Sequence, residues 1–317
     1  MHKGKTVCVV VPTSNDEAHI GTVLDTMPDF VDRIIVVANG SRDHTELIAR
    51  SFSQKQGRIL VHSFPEALGV GGAIVQGHRF NLESARPTDI SVVMAGDGQM
   101  DPEALPRLLD PLLEGYDYSK SNRFMRFGSL RGMPRLRIFG NILLTLLEKA
   151  SSGYWQVFDP MSGYTAIRRE ILESISLDSL PKRHDFELGV LIQLGAIGAR
   201  VSDVDIPSRY GNERSKLHIG DFVMYAVPLL VRGFLSRVYR KYIVRDFHPC
   251  AIMLLAGLPL FSFGLLYGLV LLIQKWLGSV GTPTTGTVML SVLPLILGLQ
   301  LLLSGLQMDI EESRRRA

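Results

Sequence analysis

The stretch ISVVMAGDGQMDPE, Ile90 to Glu103, decides how the first two-thirds of the chain is read. The run ISVV has the length of a buried strand. It breaks into a turn with Asp97, Gln99 and Asp101 at alternate positions, and Pro102 and Glu103 then open a helix-like segment. The same succession occurs upstream. KTVCVVV precedes an amphipathic stretch with Ile20, Val23, Leu24 and Met27, RIIVVA precedes a polar helix-like stretch, and RILVH precedes another helix. This alternation predicts an α/β fold with a mostly parallel sheet over residues 1–220, whose ligands gather at the carboxyl ends of the strands. The turns at those ends read PTSNDE (Pro12 to Glu17), ANGSRDHT (Ala38 to Thr45) and AGDGQMDPE (Ala95 to Glu103). There is no internal repeat and no low-complexity segment.

The acidic turn has two readings. Asp97 and Gln99 offer hard oxygen ligands that could hold Mg²⁺ or Mn²⁺ and leave positions open for phosphate oxygens and water. Asp101 reads instead as an N-cap, with Pro102 at the first helical position and Glu103 in the first turn. For Asp97 the spacing leaves both readings open. Glycines 69, 71 and 72 in LGVGGAIVQG precede a helix-like run, where bare amides could approach an anion or simply punctuate the chain. HDFELG, with His184, Asp185 and Glu187, reads as a helix start.

The 317 residues suffice for one large α/β domain and a smaller unit, and the formal charge of +3 argues against a general polyanion partner such as nucleic acid. Two cysteines, Cys8 in a strand-like run and Cys250 at the head of an apolar segment, provide neither a disulfide framework nor a zinc site, and a reducing compartment fits. MHKGKTVCVVVPTS reads as a first strand rather than a secretory signal.

Composition shifts near residue 249. Pro249 to Ile273 and Thr287 to Gln307 are almost uncharged and each long enough, at about 1.5 Å per residue, to cross a hydrocarbon core of about 30 Å. They predict a transmembrane hairpin over 249–317, with spans of about 249–273 and 287–307 and a short basic tail. Arg232, Arg237, Arg240, Lys241 and Arg245 precede the first span, Arg314, Arg315 and Arg316 follow the second, and the loop holds only Lys275. Both termini and the first domain are therefore expected on the cytoplasmic side of a membrane crossed twice. Asp221 to Val244, within a juxtamembrane segment 221–248, mixes apolar and basic residues and is interrupted by Pro228, as expected of helices lying in the interface.

The ordered series VVVPTSNDE, VVANGSRDHT, LGVGGAIVQG, MAGDGQMDPE, SNRF, DPMSGYTAIRRE and RYGNERSK resembles the family 2 glycosyltransferases of GT-A fold. More narrowly, it is similar to the polyprenol-phosphate and dolichol-phosphate sugar synthases that carry C-terminal membrane helices. The resemblance covers roughly residues 5–220 in detail. It implies a nucleotide-sugar donor held by Pro12, Ser14, Asp16, Asn39, Ser41, Gly96, Gln99 and Arg123, and a metal, Mg²⁺ or Mn²⁺, held by Asp97 and Gln99. It also implies an acceptor side with Asp159, Ser162, Gly163 and Arg137, and a clamp on the phosphates formed by Arg209 and Lys216. Three departures stand out. Ser14 replaces the aromatic usual in the first turn, Ala38 or Asn39 an acid frequent in the second, and Ala95 the first acid of the metal turn.

The function so implied is inverting transfer of a sugar from a nucleotide diphosphate to a polyprenyl phosphate. With a second pKa of about 6, the acceptor phosphate needs no protein base. A transferase extending a lipid-linked saccharide is the alternative, with Asp159 or Asp185 as base. A non-catalytic sugar-nucleotide-binding membrane protein is another, and a homo-oligomer is left open.

Overall fold

In strand β1 (Val7–Thr13) every residue is buried. Val7, Val9 and Val11 enter one core, whereas Cys8 and Val10 enter the opposite one, so helices must cover both faces. The structure, a computed structural model, describes residues 1–122, 135–206, 219–245, 248–277 and 284–316, with side chains described except at 135–141, 219–223, 245 and 314–316.

After β1 come α1 (Ile20–Asp25), β2 (Arg33–Asn39), α2 (Thr45–Lys55), β3 (Ile59–Phe64), α3 (Val70–Leu82), β4 (Ile90–Val93) and α4 (Leu105–Leu113). Then follow β5 (Tyr118–Asn122), α5 (Arg135–Ser152), β6 (Thr165–Arg168), α6 (Arg169–Ser174), α7 (Phe186–Ile197) and β7 (Val201–Asp205). The seven strands form one sheet in the order β3-β2-β1-β4-β6-β5-β7, parallel throughout except where β6 pairs with β4 and β5. Ile20 and Leu24 of α1, Ala49 of α2 and Leu105, Leu108 and Leu109 of α4 close the first core. On the other face Ala73 of α3 packs on Cys8 and Val10, and α3, α6 and α7 build a further core with Ile74, Leu172, Phe186 and Leu191. This is the mostly parallel sheet expected from the alternation. Strand order reverses between β1 and β4, which makes a crevice at their carboxyl ends.

The chain divides into two compact units, Met1–Gly233 and Phe234–Ala317. Helix α8 (Ile219–Val238) leads into a π-helical turn, Tyr239–Arg245. The expected interruption at Pro228 does not occur, and the helix runs straight through it. A proline costs one backbone hydrogen bond there, but Ala226 and Leu230 on either side bury into a core with Leu188 of α7 and hold the turn in register.

In the second unit, α9 (Pro249–Trp276) and α10 (Thr285–Arg316) are both long and apolar enough to cross a membrane. They outrun the spans drawn from composition, because helix geometry persists through polar ends such as MDIEES once the backbone ladder is made. Small residues bring the two helices together. A Cβ on Gly264 would meet the backbone N of Leu295 at 2.5 Å, and Ser291 Oγ donates to Gly264 O at 2.9 Å. Near the end of α10, Arg237 makes a buried bidentate pair with Asp309, at 2.7 and 2.9 Å, and the Tyr242 hydroxyl donates to the same carboxylate. Both cysteines are free and buried.

Candidate active site

At the β1–β4 crevice the backbone continues the sheet for one more step, with Gly96 N donating to Pro12 O at 3.0 Å. A side chain at 96 is excluded, since its Cβ would lie 2.8 Å from Thr13 Oγ1. The turn beyond it folds on itself, with Asp97 Oδ1 accepting from Gln99 N at 3.0 Å and Gly98 at φ 75. Asp101 Oδ1 accepts from Glu103 N and Pro102 follows, which is the predicted cap. It starts a 3-10 turn, Pro102–Ala104, before α4.

The turns after β1 and β2 are stitched into one surface. Asp16 Oδ2 accepts from Thr13 Oγ1 at 2.7 Å and from Ser14 N at 2.8 Å, and Asp16 N donates to Thr45 Oγ1. Asn15 N donates to Ser41 Oγ at 3.3 Å, and Arg42 N returns a bond to Asn15 Oδ1. Glu17 accepts from His44 N, and Glu17 N donates to Asp43 Oδ2. Pro12, Ser14, Asp16 and Ser41 thus share one rigid edge of the crevice with Gly96, Asp97 and Gln99.

Asn39 and the glycine-rich segment both make contacts inside the protein. Asn39 is buried, its Oδ1 accepting from Leu68 N at 2.7 Å and its Nδ2 donating to Gly69 O at 3.2 Å. It therefore holds the glycine-rich segment. That segment is in turn occupied. Gly72 N donates to Lys182 O, and Cβ atoms at 69 and 71 would meet Lys182 O and Pro181 O at 2.2 and 2.4 Å. These glycines admit the neighbouring backbone, and the amide of Gly72 is not open to an anion.

The loop Phe158–Gly163, expected from the resemblance on the acceptor side, lies across from the acidic turn. Tyr164 donates from its hydroxyl to Asp101 O at 2.9 Å, while Ala95 N donates to Met100 Sδ, whose methyl lies near Gly163. Ser162 is buried against Ser121, with 2.5 Å between the hydroxyl oxygens, and Asp159 is buried in a left-handed conformation at φ 51. Lys120 fixes that conformation. Its buried ammonium donates to Phe158 O and Asp159 O, both at 2.7 Å, and pairs with Asp203, which accepts from Phe158 N at 2.7 Å. Burial raises the Asp203 carboxyl above its ordinary pKa, with Lys120 opposing the shift.

Glu187, in the first turn of α7, reaches the same loop, for a Cβ on Gly163 would stand 3.2 Å from its Oε1. HDFELG is a helix start as predicted, with Asp185 at the cap position but no side-chain cap bond, and burial pushes its carboxyl up. Neither Lys120 nor Glu187 was among the residues selected from sequence. A lysine inside the apolar-length segment YSKSN and an acid at the head of an apolar helix were the available signals. Arg123, Arg209 and Lys216 lie outside the described residues, and Arg137 falls in α5 with its side chain outside them.

Among the described residues no group of three His, Cys, Asp or Glu side chains could hold a metal ion. One carboxylate and one amide at a strand exit fit a hard divalent cation that takes its other oxygens from a diphosphate and water. Asp97 and Gln99 would hold such an ion, which supplies charge to a leaving diphosphate.

Residues 8–176 match the family described as Glycosyl transferase family 2. Among curated proteins, the UDP-N-acetylglucosamine--dolichyl-phosphate N-acetylglucosaminyltransferase of Methanococcus voltae is 24% identical over 72% of this chain and 97% of its own length. The polyprenol monophosphomannose synthase of Mycolicibacterium smegmatis is 29% identical over 63% of this chain and 75% of its own. Among solved structures, glucosyl-3-phosphoglycerate synthase from Mycobacterium tuberculosis with phosphoglyceric acid superposes with a TM-score of 0.56 and 26% identity, covering 73% of this chain and 80% of that one. The same enzyme with Mn²⁺, uridine-diphosphate-glucose and phosphoglyceric acid gives 0.53 and 27% over 74% and 80%.

Proposed function

Because this chain belongs to glycosyl transferase family 2, and so is a glycosyltransferase, we propose that it moves a sugar from a nucleoside diphosphate to a polyprenyl phosphate, inverting the anomeric carbon. The observation that carries this reading is the facing of two turns across the β1–β4 crevice. The rigid edge with Asp16, Ser41, Asp97 and Gln99 meets the loop Phe158–Gly163, which Tyr164 ties to Asp101. Relatives whose names specify dolichyl and polyprenol phosphates, and two helices long enough to span a membrane, support a lipid acceptor. Solved relatives crystallised with Mn²⁺ and a uridine diphosphate sugar support a divalent ion with the donor here.

In this reaction an acceptor phosphate oxygen forms a bond to C1 of the sugar while the bond from C1 to the donor diphosphate breaks, releasing nucleoside diphosphate. The nucleophile is already ionised near neutral pH, so no general base is required. The protein's task is to hold two phosphate-bearing substrates close and in line, and to stabilise charge on the leaving group. Pro12, Ser14, Asp16, Ser41, Gly96 and Gln99 border the donor, and Arg123 contributes to its binding. Asp159, Ser162, Gly163 and Arg137 border the acceptor, and Arg209 and Lys216 clamp the phosphates. The domain over 1–220 catalyses, the segment 221–248 lies at the membrane surface, and 249–317 anchors the chain with both termini cytoplasmic.

Asp185 favours one competing reading, a base for a hydroxyl acceptor, because burial raises its proton affinity. A donor panel assayed in native lipid separates them. The expected product carries sugar on a lipid phosphate, and Asp185→Asn keeps most of the activity. Sugar on the hydroxyl of a lipid-linked saccharide, with activity lost in that variant, would overturn the phosphate acceptor. Donor binding without turnover would overturn both.

A further inference from the structure

The chain from 153 to 164 joins α5 to β6 with no helix or strand of its own. Tyr154 and Val157 pack into the apolar core beneath it, whereas Phe158 is exposed, so apolar burial does not set the backbone at Phe158 and Asp159. Three charged side chains from three elements do. Lys149 of α5 donates from Nζ to Trp155 O at 2.6 Å and stands 3.5 Å from the Phe158 ring. Asp203 of β7 accepts on Oδ2 from Phe158 N at 2.7 Å and from Asn122 Nδ2 at 3.0 Å. Lys120 of β5 donates to the next two carbonyls, Phe158 O and Asp159 O, and lies 3.4 Å from Asp203 Oδ1. Both lysines are buried, and the Asp203 side chain is 8% exposed.

Buried charges are a poor source of stability, because desolvation offsets most of their attraction. What these three supply is direction, since each bond fixes one peptide group of an irregular segment. The backbone they fix includes Asp159 at φ 51, a left-handed conformation that a residue with a side chain holds only under constraint. That conformation carries forward, for Ser162 N donates to Asp159 O at 3.1 Å and the Ser162 hydroxyl meets Ser121. We propose that Lys120, Lys149 and Asp203 are positioning residues for the transfer, holding the loop Trp155–Ser162 in its working conformation before the acceptor arrives. Their role, which rests on the reaction proposed above, is exerted through Asp159 and Ser162 on the acceptor side. An acceptor meeting a formed surface does not have to order the loop, and its reactive oxygen is held in line from the outset. Asp203 Oδ2, shared between Phe158 N and Asn122, also makes the exit of β5 and the loop one unit.

Two readings of the full chain in detergent test this, one of the loop and one of the reaction. The chain has two tryptophans, Trp155 in the loop and Trp276, exposed at the end of α9, so Trp276→Phe leaves a single emitter inside the loop. In that background Lys120→Met should raise the acrylamide quenching constant of Trp155 by about threefold with the far-ultraviolet circular dichroism unchanged. Lys149→Met leaves Lys120 paired with Asp203, and it decides the matter where Lys120→Met does not fold. In both variants kcat/KM for undecaprenyl phosphate should fall by about 30-fold, while the Kd of UDP or GDP with Mn²⁺, whichever the wild type binds, stays within about threefold. Unchanged quenching would show that these residues do not hold the loop. Nucleotide affinity and turnover falling together would make their role one of general stability and overturn the proposal, as would raised quenching with full turnover. A wild type that does not turn over undecaprenyl phosphate would remove that acceptor, and the role at it, while the quenching of Trp155 still decides whether the three side chains hold the loop.

Discussion

Ala95 puts a methyl group where the resemblance leads one to expect the first acid of the metal turn, so the charge for a divalent ion there falls on Asp97. Asp97→Asn is expected to lower transfer by about 100-fold or more, because the charge on the leaving diphosphate then goes largely uncompensated. Turnover measured against Mg²⁺ and Mn²⁺ concentration checks this, and an unchanged curve at limiting metal would remove Asp97 from the site. Ala95→Asp should shift the same curve to lower metal. A buried residue away from the crevice has a different signature. Glu148, with no exposed area, has no hydrogen-bond partner for either carboxylate oxygen, and Ser152 stands near it but outside hydrogen-bond geometry. Burial pushes its pKa up to about 7, against the pull of Lys120 and Lys149 and with that of Asp203. Since the folded value exceeds the unfolded one, the folded chain binds this proton more tightly. The stabilisation is full below about pH 4.5 and is lost as pH rises through about 7, roughly 3 kcal/mol in all. Glu148→Gln should flatten the stability profile across that window and be the more stable form at pH 8, as read by chemical denaturation. Parallel profiles would mean that Glu148 does not titrate there.

Turns and helices divide the work differently from the way their residue types suggest. The glycine-rich entry to α3 looks like an anion cradle, yet its glycines accept the backbone of Pro181 and Lys182 and its position is set by Asn39. Helix α8 contains Pro228 but stays whole, because packing on α7 outweighs one missing hydrogen bond. Between α9 and α10 the backbones approach closely at small residues, the way helices pack where a lipid surround would give no hydrophobic gain. Gly264→Val should therefore separate the pair. Its added carbons meet the backbone N of Leu295 and O of Ser291, which cannot rotate aside as a side chain end would. A cost of about 1–3 kcal/mol is expected, visible as a lower unfolding temperature in detergent with the first unit intact. An unshifted transition would mean that the helices part without loss.

For the whole molecule, the positive bias beside the spans predicts a hairpin with its loop outside and both ends inside. A cysteine at Thr284 should react with an impermeant thiol reagent added to intact cells, and one at Ser313 should not. The reverse pattern would place the crevice away from cytosolic nucleotide sugars and sink the proposed donor. Of those basic residues, Arg237 is already consumed by Asp309, so Arg232 and Arg240, which are exposed, carry more of the bias than sequence counting suggests. The pattern of apolar runs determined the sheet, the crevice at its carboxyl ends and the two helices long and apolar enough to span a membrane, because each depends on residues close together in the chain. Asp101 was legible as a cap, and the turns Pro12 to Glu17 and Ala38 to Thr45 as strand exits, since each follows directly on its own strand. What only the tertiary structure decided were pairings far apart in sequence. Asn39 reaches Gly69, Lys120 reaches Asp159 and Asp203, and Glu187 reaches Gly163. No local pattern marks them, because a buried polar group takes whatever partner the packed sheet brings within about 3 Å.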